Sequence, residues 1–264
     1  MTRRVFVLAA LCAATTLVSA QNPAESLEPL HGTCSITASE HADKVRLALE
    51  REPCAEGSSH CNTSDTDVQV SQFSGFSLAD LQREGAHLDA TMTAEAGTIR
   101  CSGTVHASAL RGDYTFTPDA QFVGRMQQMG FSDFDSEKLQ AYTLFHIDTA
   151  WVKALQAEGV TEMDSGNLIA LRIFRITPEF VRSMDALGYH HLPAGKLIAF
   201  GVHGVNADEV KQIRALGYDP NADELIQMRI FRVTPDFIRR MQSRGFKNLT
   251  IAKLVQVRIF NLAE

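Results

Sequence analysis

The chain has 264 residues, of which 45% are hydrophobic, and a formal net charge of −6 at neutral pH. A negative balance argues against a dedicated nucleic-acid-binding protein, which needs a basic surface. At about 100 to 200 residues per domain, the length accommodates two folded units.

The first 20 residues predict a cleavable signal peptide. Arg3 and Arg4 precede an uncharged apolar run that ends in the small residues Ser19 and Ala20. This is the layout of a secretory leader, and the run is too short to span a membrane. No later segment is apolar enough to span one. We therefore expect bacterial export to the periplasm or the medium, with residues 21–32 as a flexible lead-in.

Four cysteines follow the leader, all in the first half of the chain. An oxidising compartment permits disulfides, and four cysteines allow three pairings. We favour Cys54 with Cys61, because the polar loop "AEGSSH" between them is easily closed, which leaves Cys34 with Cys101. The alternative is a metal site that uses His60 beside Cys61.

Residues 33–116 have the pattern of a small antiparallel β-domain. Short alternating or β-branched runs recur in "TCSIT", "KVRLALE", "DVQVSQF", "HLDATMTA", "TIRCSGTVHA" and "DYTFT". Such runs predict strands, and we expect five or six of them. Ser77 as an N-cap and Gly85 as a stop predict one short helix between them.

Residues 117–264 contain a five-fold repeat. Its copies align on glycines spaced by 29, 29, 29 and 28 residues: Gly130, Gly159, Gly188, Gly217 and Gly245. Eight residues before these glycines, four of the five copies have an aromatic residue: Phe122, Trp151, Phe180, Glu209 and Phe237. A fixed period of 20 to 50 residues indicates stacked supersecondary units.

The first run of each unit predicts a helix. In the third copy, Thr177 is a good N-cap, Pro178 suits the first helical position and Glu179 favours the positive end of the helix. Gly188 then supplies the left-handed residue that ends it.

The second run is ambiguous between helix and strand. Leu171 and Ile173 belong to a strand-like alternation, whereas Ile173 and Ile176 also fit one side of a helix. The preceding Asp164 is an N-cap type, which favours the helix. The predicted fold class is therefore α+β: a disulfide-linked antiparallel β-domain followed by five helical hairpins that stack as a short α-solenoid.

Arginines recur at equivalent places in the second run. One position holds Arg172, Arg229 and Arg258, while the first and third copies have Thr143 and Gly201 there; a second position holds Arg175 and Arg232. Equivalent positions of a solenoid align on one face. We hypothesise that these five arginines form a docking face for carboxylates or phosphates of a partner. A solvated flank that keeps the repeat soluble is the alternative.

Charge is also distributed unevenly along the chain. Residues 21–115 contain 14 acidic and 6 basic side chains, whereas residues 221–264 contain 4 acidic and 8 basic ones. Such asymmetry steers partners or docks one half on the other.

The pairing of "RGDYTFTP" with the repeated "ITPEFVRSMDALGYHHLPAGKLIAFGVHGV" resembles the periplasmic C-terminal extensions of bacterial membrane metallopeptidases of the beta-lactam-sensor type. It is similar also to free-standing exported proteins built from the same parts. The resemblance covers the chain from about residue 33 and implies an envelope-located sensing or interaction module. The chain has no His-Glu-x-x-His motif, so the resemblance transfers no peptidase activity and no functional residue.

No catalytic motif is found in the sequence. Gly-x-Ser-x-Gly, a phosphate-binding glycine loop and a zinc-protease helix are all missing. "NTSDTD" collects oxygen ligands at residues 62–67 but lacks the glycine and distal glutamate of a calcium loop. We expect a non-enzymatic envelope scaffold, for protein interaction or sensing, with a protein partner and without cofactor, metal, nucleic acid or membrane span. The alternatives are a small-molecule- or metal-binding periplasmic protein, with its ligand between the strands or at the junction, and an enzyme of unrecognised type.

Overall fold

The computed structural model describes residues 27–51, 63–246 and 248–261. The predicted leader and the favoured Cys54–Cys61 pair lie outside these residues, as do His60 and the beginning of the lead-in. The described chain forms one antiparallel sheet followed by α-helices, so the predicted α+β fold class is confirmed.

The sheet has seven strands in the order β3-β2-β1-β7-β6-β5-β4, and it curves into a half-barrel. The strands are β1 (Leu30–Ala38), β2 (Lys44–Arg51), β3 (Thr63–Gln69), β4 (Phe73–Ser74), β5 (His87–Ala94), β6 (Gly97–His106) and β7 (Ala109–Pro118). Five or six were expected; β4 has only two residues, too few to show an alternation. The short helix expected after Ser77 is a 3₁₀ helix, Leu78–Gln82, and Ser77 forms a capping box with Asp80.

A disulfide joins Cys34 in β1 to Cys101 in β6, although β7 lies between these strands. Strands two apart in a flat sheet are separated by roughly 9–10 Å, yet the two Cα atoms are 6.0 Å apart. The sheet must therefore bend sharply here. Gly112, opposite Cys34 in β7, permits the bend, because a Cβ at this position would lie 2.0 Å from the Ser102 carbonyl oxygen.

Ten helices follow in the described chain, two for each repeat. They are α1 (Ala120–Gln128), α2 (Ser136–Leu144), α3 (Thr149–Ala157), α4 (Ser165–Ile173), α5 (Pro178–Asp185), α6 (Ala194–His203), α7 (Ala207–Ala215), α8 (Ala222–Ile230), α9 (Pro235–Ser243) and α10 (Ile251–Ile259). The second run of every repeat is a helix, so the helical interpretation is confirmed. Odd-numbered helices from α3 to α9 pack on one another in sequence, as do the even-numbered helices from α2 to α10.

The predicted caps explain where these helices begin and end. The Thr177 hydroxyl accepts a hydrogen bond from the Phe180 N–H at 3.2 Å, and the Asp164 carboxylate accepts one from the Asn167 N–H at 2.7 Å. Each satisfies a backbone donor that the first helical turn leaves unpaired. After α5, Gly188 adopts the left-handed conformation, with φ +85°, as the repeat pattern predicts.

The hydrophobic core runs from the sheet into the repeats. Helix α2 packs on β5, β6 and β7, and one buried cluster extends from the sheet to Leu197 in α6. A second cluster extends from Met184 to Val255 and fills the last three repeats. The core therefore continues from the strands, which end at Pro118, into the helices, which begin at Ala120.

None of the helices in the described residues is long and apolar enough to cross a membrane. The Cys34–Cys101 disulfide is of a kind that persists in oxidising compartments outside the cytoplasm.

Candidate interaction surface

The arginines of the first position lie in the last turns of α4, α8 and α10. Each donates its Nε–H to a backbone carbonyl at the C-terminal end of the preceding even-numbered helix or just after it: Arg172 to Phe145 at 2.9 Å, Arg229 to His203 at 2.9 Å and Arg258 to Arg232 at 3.2 Å. Carbonyls at a helix end have no partner within the helix, so the arginines satisfy them. They thereby join neighbouring repeats.

The same guanidinium groups contact the residue that precedes the repeat glycine by eight positions. The Cζ of Arg172 lies 5.1 Å from the Trp151 ring centroid, within cation–π range. Arg258 lies over another aromatic ring of its own repeat, with its Cζ 4.7 Å from the Phe237 centroid. In the fourth repeat the aromatic residue is replaced by Glu209, and Arg229 donates to its carboxylate at 2.7 Å.

The two copies without arginine are packed differently. At Gly201 an added Cβ would lie 2.6 Å from the Phe174 Cβ, so α6 contacts the end of α4 directly. Thr143 is fully buried and donates its hydroxyl to the Leu139 carbonyl at 3.0 Å. The first arginine position therefore belongs to the packing between repeats, and a docking role for Arg172, Arg229 and Arg258 stays a prediction.

The second position is exposed. Arg175 and Arg232 follow the ends of α4 and α8 in the left-handed conformation, with φ of 56° and 54°. The equivalent residues after α6 and α10 are Gly204 and Asn261, with φ of 67° and 51°. A side chain with a Cβ costs about 1–2 kcal/mol in this conformation, which glycine and asparagine tolerate best. Among the described residues, Arg175 and Arg232 form no ion pair.

A row of exposed apolar side chains lies beside these arginines. Of the eight large hydrophobic residues that the described chain exposes, seven follow the first arginine position directly in four consecutive repeats. We call these seven the apolar stripe: Ile173, Phe174, Val202, Ile230, Phe231, Ile259 and Phe260. Since the hydrogen bonds and contacts described above join successive helix ends, equivalent residues lie side by side. Monomeric proteins rarely expose contiguous apolar surface without an interaction to make.

The stripe was not identified in the sequence, and one of its members was grouped wrongly. The helical pattern put Ile173 and Ile176 on one side of a helix, yet Ile176 is buried and Ile173 is 47% exposed. Helix α4 packs through Leu168 and Leu171, and a residue two positions after Leu171 lies about 200° further around the helix. The sequence does contain a signal for the stripe, since an Ile-Phe pair follows the arginine in three repeats. Apolar residues that recur outside the packed face of a helix indicate a second contact surface.

A polar cavity of about 420 Å³ lies where the sheet meets α2. Its lining includes Tyr114, Gln140 and an ion pair of Arg51 with Glu137. Burial raises the pKa of the Tyr114 hydroxyl, which therefore stays protonated at neutral pH. Among the described residues, this cavity best matches the alternative function considered from the sequence, a ligand bound at the junction of the two parts.

The candidate calcium ligands are part of the sheet. Asp65 and Asp67 lie in β3, where Asp65 accepts a hydrogen bond from Arg46 at 2.7 Å and Asp67 accepts one from Ser39 at 2.8 Å. Within residues 27–51, 63–246 and 248–261, no three His, Cys, Asp or Glu side chains are grouped so as to hold a metal ion.

No family model, no curated protein and no solved structure matches this chain. The resemblance to the sensor-type extensions accordingly stays a prediction from the sequence.

Proposed function

We propose that this protein is a non-enzymatic interaction scaffold, exported to the bacterial periplasm or beyond, that binds a protein partner along its apolar stripe. The observation that carries the proposal is the placement of seven exposed hydrophobic residues at equivalent positions of four consecutive repeats. Single exposed hydrophobics are ordinary on protein surfaces, whereas a contiguous row is typical of a binding site.

The packing of the repeats suits such a role. The ends of the even-numbered helices are fixed by the arginine and glycine contacts, so the row is rigid before a partner arrives. A rigid surface loses little conformational entropy when it binds, which favours affinity. Stacked repeats are a common architecture for extended binding surfaces.

The basic part of the surface is assigned to Arg175 and Arg232. Both are exposed, and neither forms an ion pair within the described chain. Replacing Arg172, Arg229 or Arg258 would instead disturb the packing between repeats. A loss of binding in those variants would therefore not show that the arginine contacts the partner. Arg175 and Arg232 therefore give the cleaner test of a basic docking face.

The test is retention of a partner by stripe variants. We expect Phe174→Ser combined with Phe231→Ser to abolish co-purification of a protein partner from the native envelope, in a protein that remains folded at the temperature of the assay. Phe246→Ser is the matched control, because Phe246 is exposed by 53% and lies outside the stripe. Equal retention by the stripe variant and the control would contradict the proposal.

The junction cavity supports a second candidate function, the binding of a small polar molecule. Tyr114 and Gln140 are nearly fully buried, and both line the cavity wall. A ligand that binds the native state raises its melting temperature. Thermal-shift screening with envelope metabolites and metal ions tests this candidate, and Gln140→Leu should remove any shift caused by binding in the cavity.

A further inference from the structure

We infer that the apolar stripe binds a polyproline II segment that has an apolar residue at every third position and two carboxylates six residues apart. The inference rests on the proposed function and specifies the partner. It depends on the spacing of the stripe, on its aromatic character and on the placement of Arg175 and Arg232.

The first step is the spacing of the stripe. Its four levels, one at the end of each helix α4, α6, α8 and α10, are called rungs. These helices pack on one another in sequence, and packed helices are separated by about 8–10 Å. Successive rungs therefore lie about 8–10 Å apart.

A polyproline II chain matches this spacing in both length and rotation. It rises about 3.1 Å per residue with three residues per turn, so the same face returns after about 9 Å. An α-helix returns the same face after seven residues, or about 10.5 Å, which exceeds the rung spacing. The mismatch accumulates over four rungs, and an extended partner is favoured.

The side chains of the stripe suit the same partner. Three of the four rungs present a phenylalanine: Phe174, Phe231 and Phe260. In the remaining rung, His203 stands at the phenylalanine position and Val202 at the isoleucine position. Aromatic-lined surfaces are a recurrent mode of polyproline II recognition, because the segment is extended before it binds and loses little entropy.

The arginines set the charge of the partner. Arg175 belongs to the first rung and Arg232 to the third, so they are two rungs apart, a distance that six polyproline II residues span in about 19 Å. The Asp236 carboxylate, at the start of the helix that follows Arg232, is already engaged by Arg239 at 2.6 Å, and neither Arg175 nor Arg232 forms an ion pair within the described residues. Two carboxylates of a partner, six residues apart, would meet the two guanidinium groups.

The test uses synthetic peptides of 12 residues and the full exported chain. The first peptide has an apolar residue at every third position, proline between them and two glutamates six residues apart. The second places the glutamates three residues apart, and the third replaces both with glutamine. A helical peptide with a seven-residue apolar repeat and vesicles with anionic lipid are the competing probes. Binding is measured by fluorescence anisotropy at two salt concentrations.

We expect the first peptide to bind about threefold more tightly than the second, which keeps one carboxylate in register, and about tenfold more tightly than the third, which keeps none. Arg175→Gly combined with Arg232→Gly should remove that advantage while leaving the fold intact, since glycine suits both backbones. Arg240→Ala, which removes an exposed positive charge outside the stripe, is the matched control and should bind like the wild type. Phe231→Ser should weaken all three peptides.

Three results would overturn the inference: no binding of the first peptide, equal binding of the first and second, or preferential binding of the helical peptide or the vesicles. The proposed function is tested separately by partner retention. If the stripe variants lose a natural partner while the polyproline peptides do not bind, the scaffold stands and the polyproline assignment falls.

Discussion

Arg229 donates to the Glu209 carboxylate at 2.7 Å, in the place where Arg172 and Arg258 contact aromatic rings. The repeat thus keeps an attractive contact between its two helices while the chemistry of that contact changes from cation–π to ion pair. The exposed fractions of the two side chains are 33% for Arg229 and 13% for Glu209, so the pair is less screened than one on the open surface.

The contact predicts the effects of two substitutions at position 209. Glu209→Ala should lower the free energy of unfolding by about 1 kcal/mol, because it leaves the half-buried guanidinium without its carboxylate. Glu209→Phe should cost much less, since it restores the ring present in the second and fifth repeats. Urea denaturation measures both, and equal losses would contradict this account.

Arginine at position 172 should not be replaceable by lysine. Arg172→Lys loses the Nε–H donated to the Phe145 carbonyl and the planar contact with Trp151, and we expect a loss of about 1–2 kcal/mol. Arg175→Lys, three residues further on, keeps an exposed positive charge and should change stability little. A similar loss in both variants would show that the first arginine position has no special packing role.

The left-handed arginines predict a gain in stability on mutation. Arg175→Gly and Arg232→Gly should each stabilise the protein by about 1 kcal/mol, because glycine adopts positive φ without steric cost. Arg175→Val should destabilise it, since a β-branched residue is an outlier in this conformation. Thermal or urea unfolding should show that stability decreases from glycine to arginine to valine at position 175. A glycine variant less stable than the wild type would refute this order.

The disulfide should contribute strongly to the stability of the sheet. Cys34 and Cys101 are separated by 67 residues, and closing a loop of this size stabilises by about 4 kcal/mol in the chain-entropy model. Cys34→Ser combined with Cys101→Ser should lose a comparable amount. Reduction of the wild type keeps both buried side chains and isolates the cross-link; unchanged stability after reduction would rule out this contribution.

His146 should make stability depend on pH. Burial lowers the pKa of its imidazole, the positive charge of Arg172 lowers it further and Asp148 partly opposes the shift. The Nε2 atom of His146 is buried and has no hydrogen-bond partner among the described residues. The folded state therefore binds fewer protons than the unfolded state as the pH falls below the ordinary value of about 6.5. Stability from the neutral ring is present above that value and is lost as the pH falls toward the lowered pKa.

His146→Asn should flatten this dependence, and asparagine suits the left-handed backbone at this position. Unfolding free energies measured from pH 7.5 to 5 provide the check. His87→Asn, on the exposed face of β5, is the control and should keep the wild-type slope. A wild-type slope in His146→Asn would show that another group is responsible.

The sequence predicted the fold well because its signals were local. Thr177 and Asp164 are helix caps whose action depends on the next three residues, and the left-handed Gly188 ends its helix by the same short-range logic. The even-numbered helices were harder to predict, since Leu171 and Ile173 also alternate as a strand would. The helical conformation is stabilised by stacking between repeats, and the sequence of a single segment does not encode that stacking.

The candidate surface was only partly predictable. Equivalent arginines were visible in the sequence, but nothing local distinguished Arg172, which packs between repeats, from Arg175, which is exposed. That difference arises from contacts with another repeat, 27 residues away for the Phe145 carbonyl. The exposure of Phe174 depends likewise on which side of α4 packs against α6.

Site-specific cross-linking from the stripe tests the central claim most directly. A photoreactive amino acid at position 231, in the chain expressed in its native envelope, should give a discrete adduct with one protein. The same amino acid at position 246, also exposed and apolar but outside the stripe, should not give that adduct. Mutation of Phe174 to serine should abolish it. The same adduct from both positions, or none from position 231, would contradict the assignment of the apolar stripe as the binding surface.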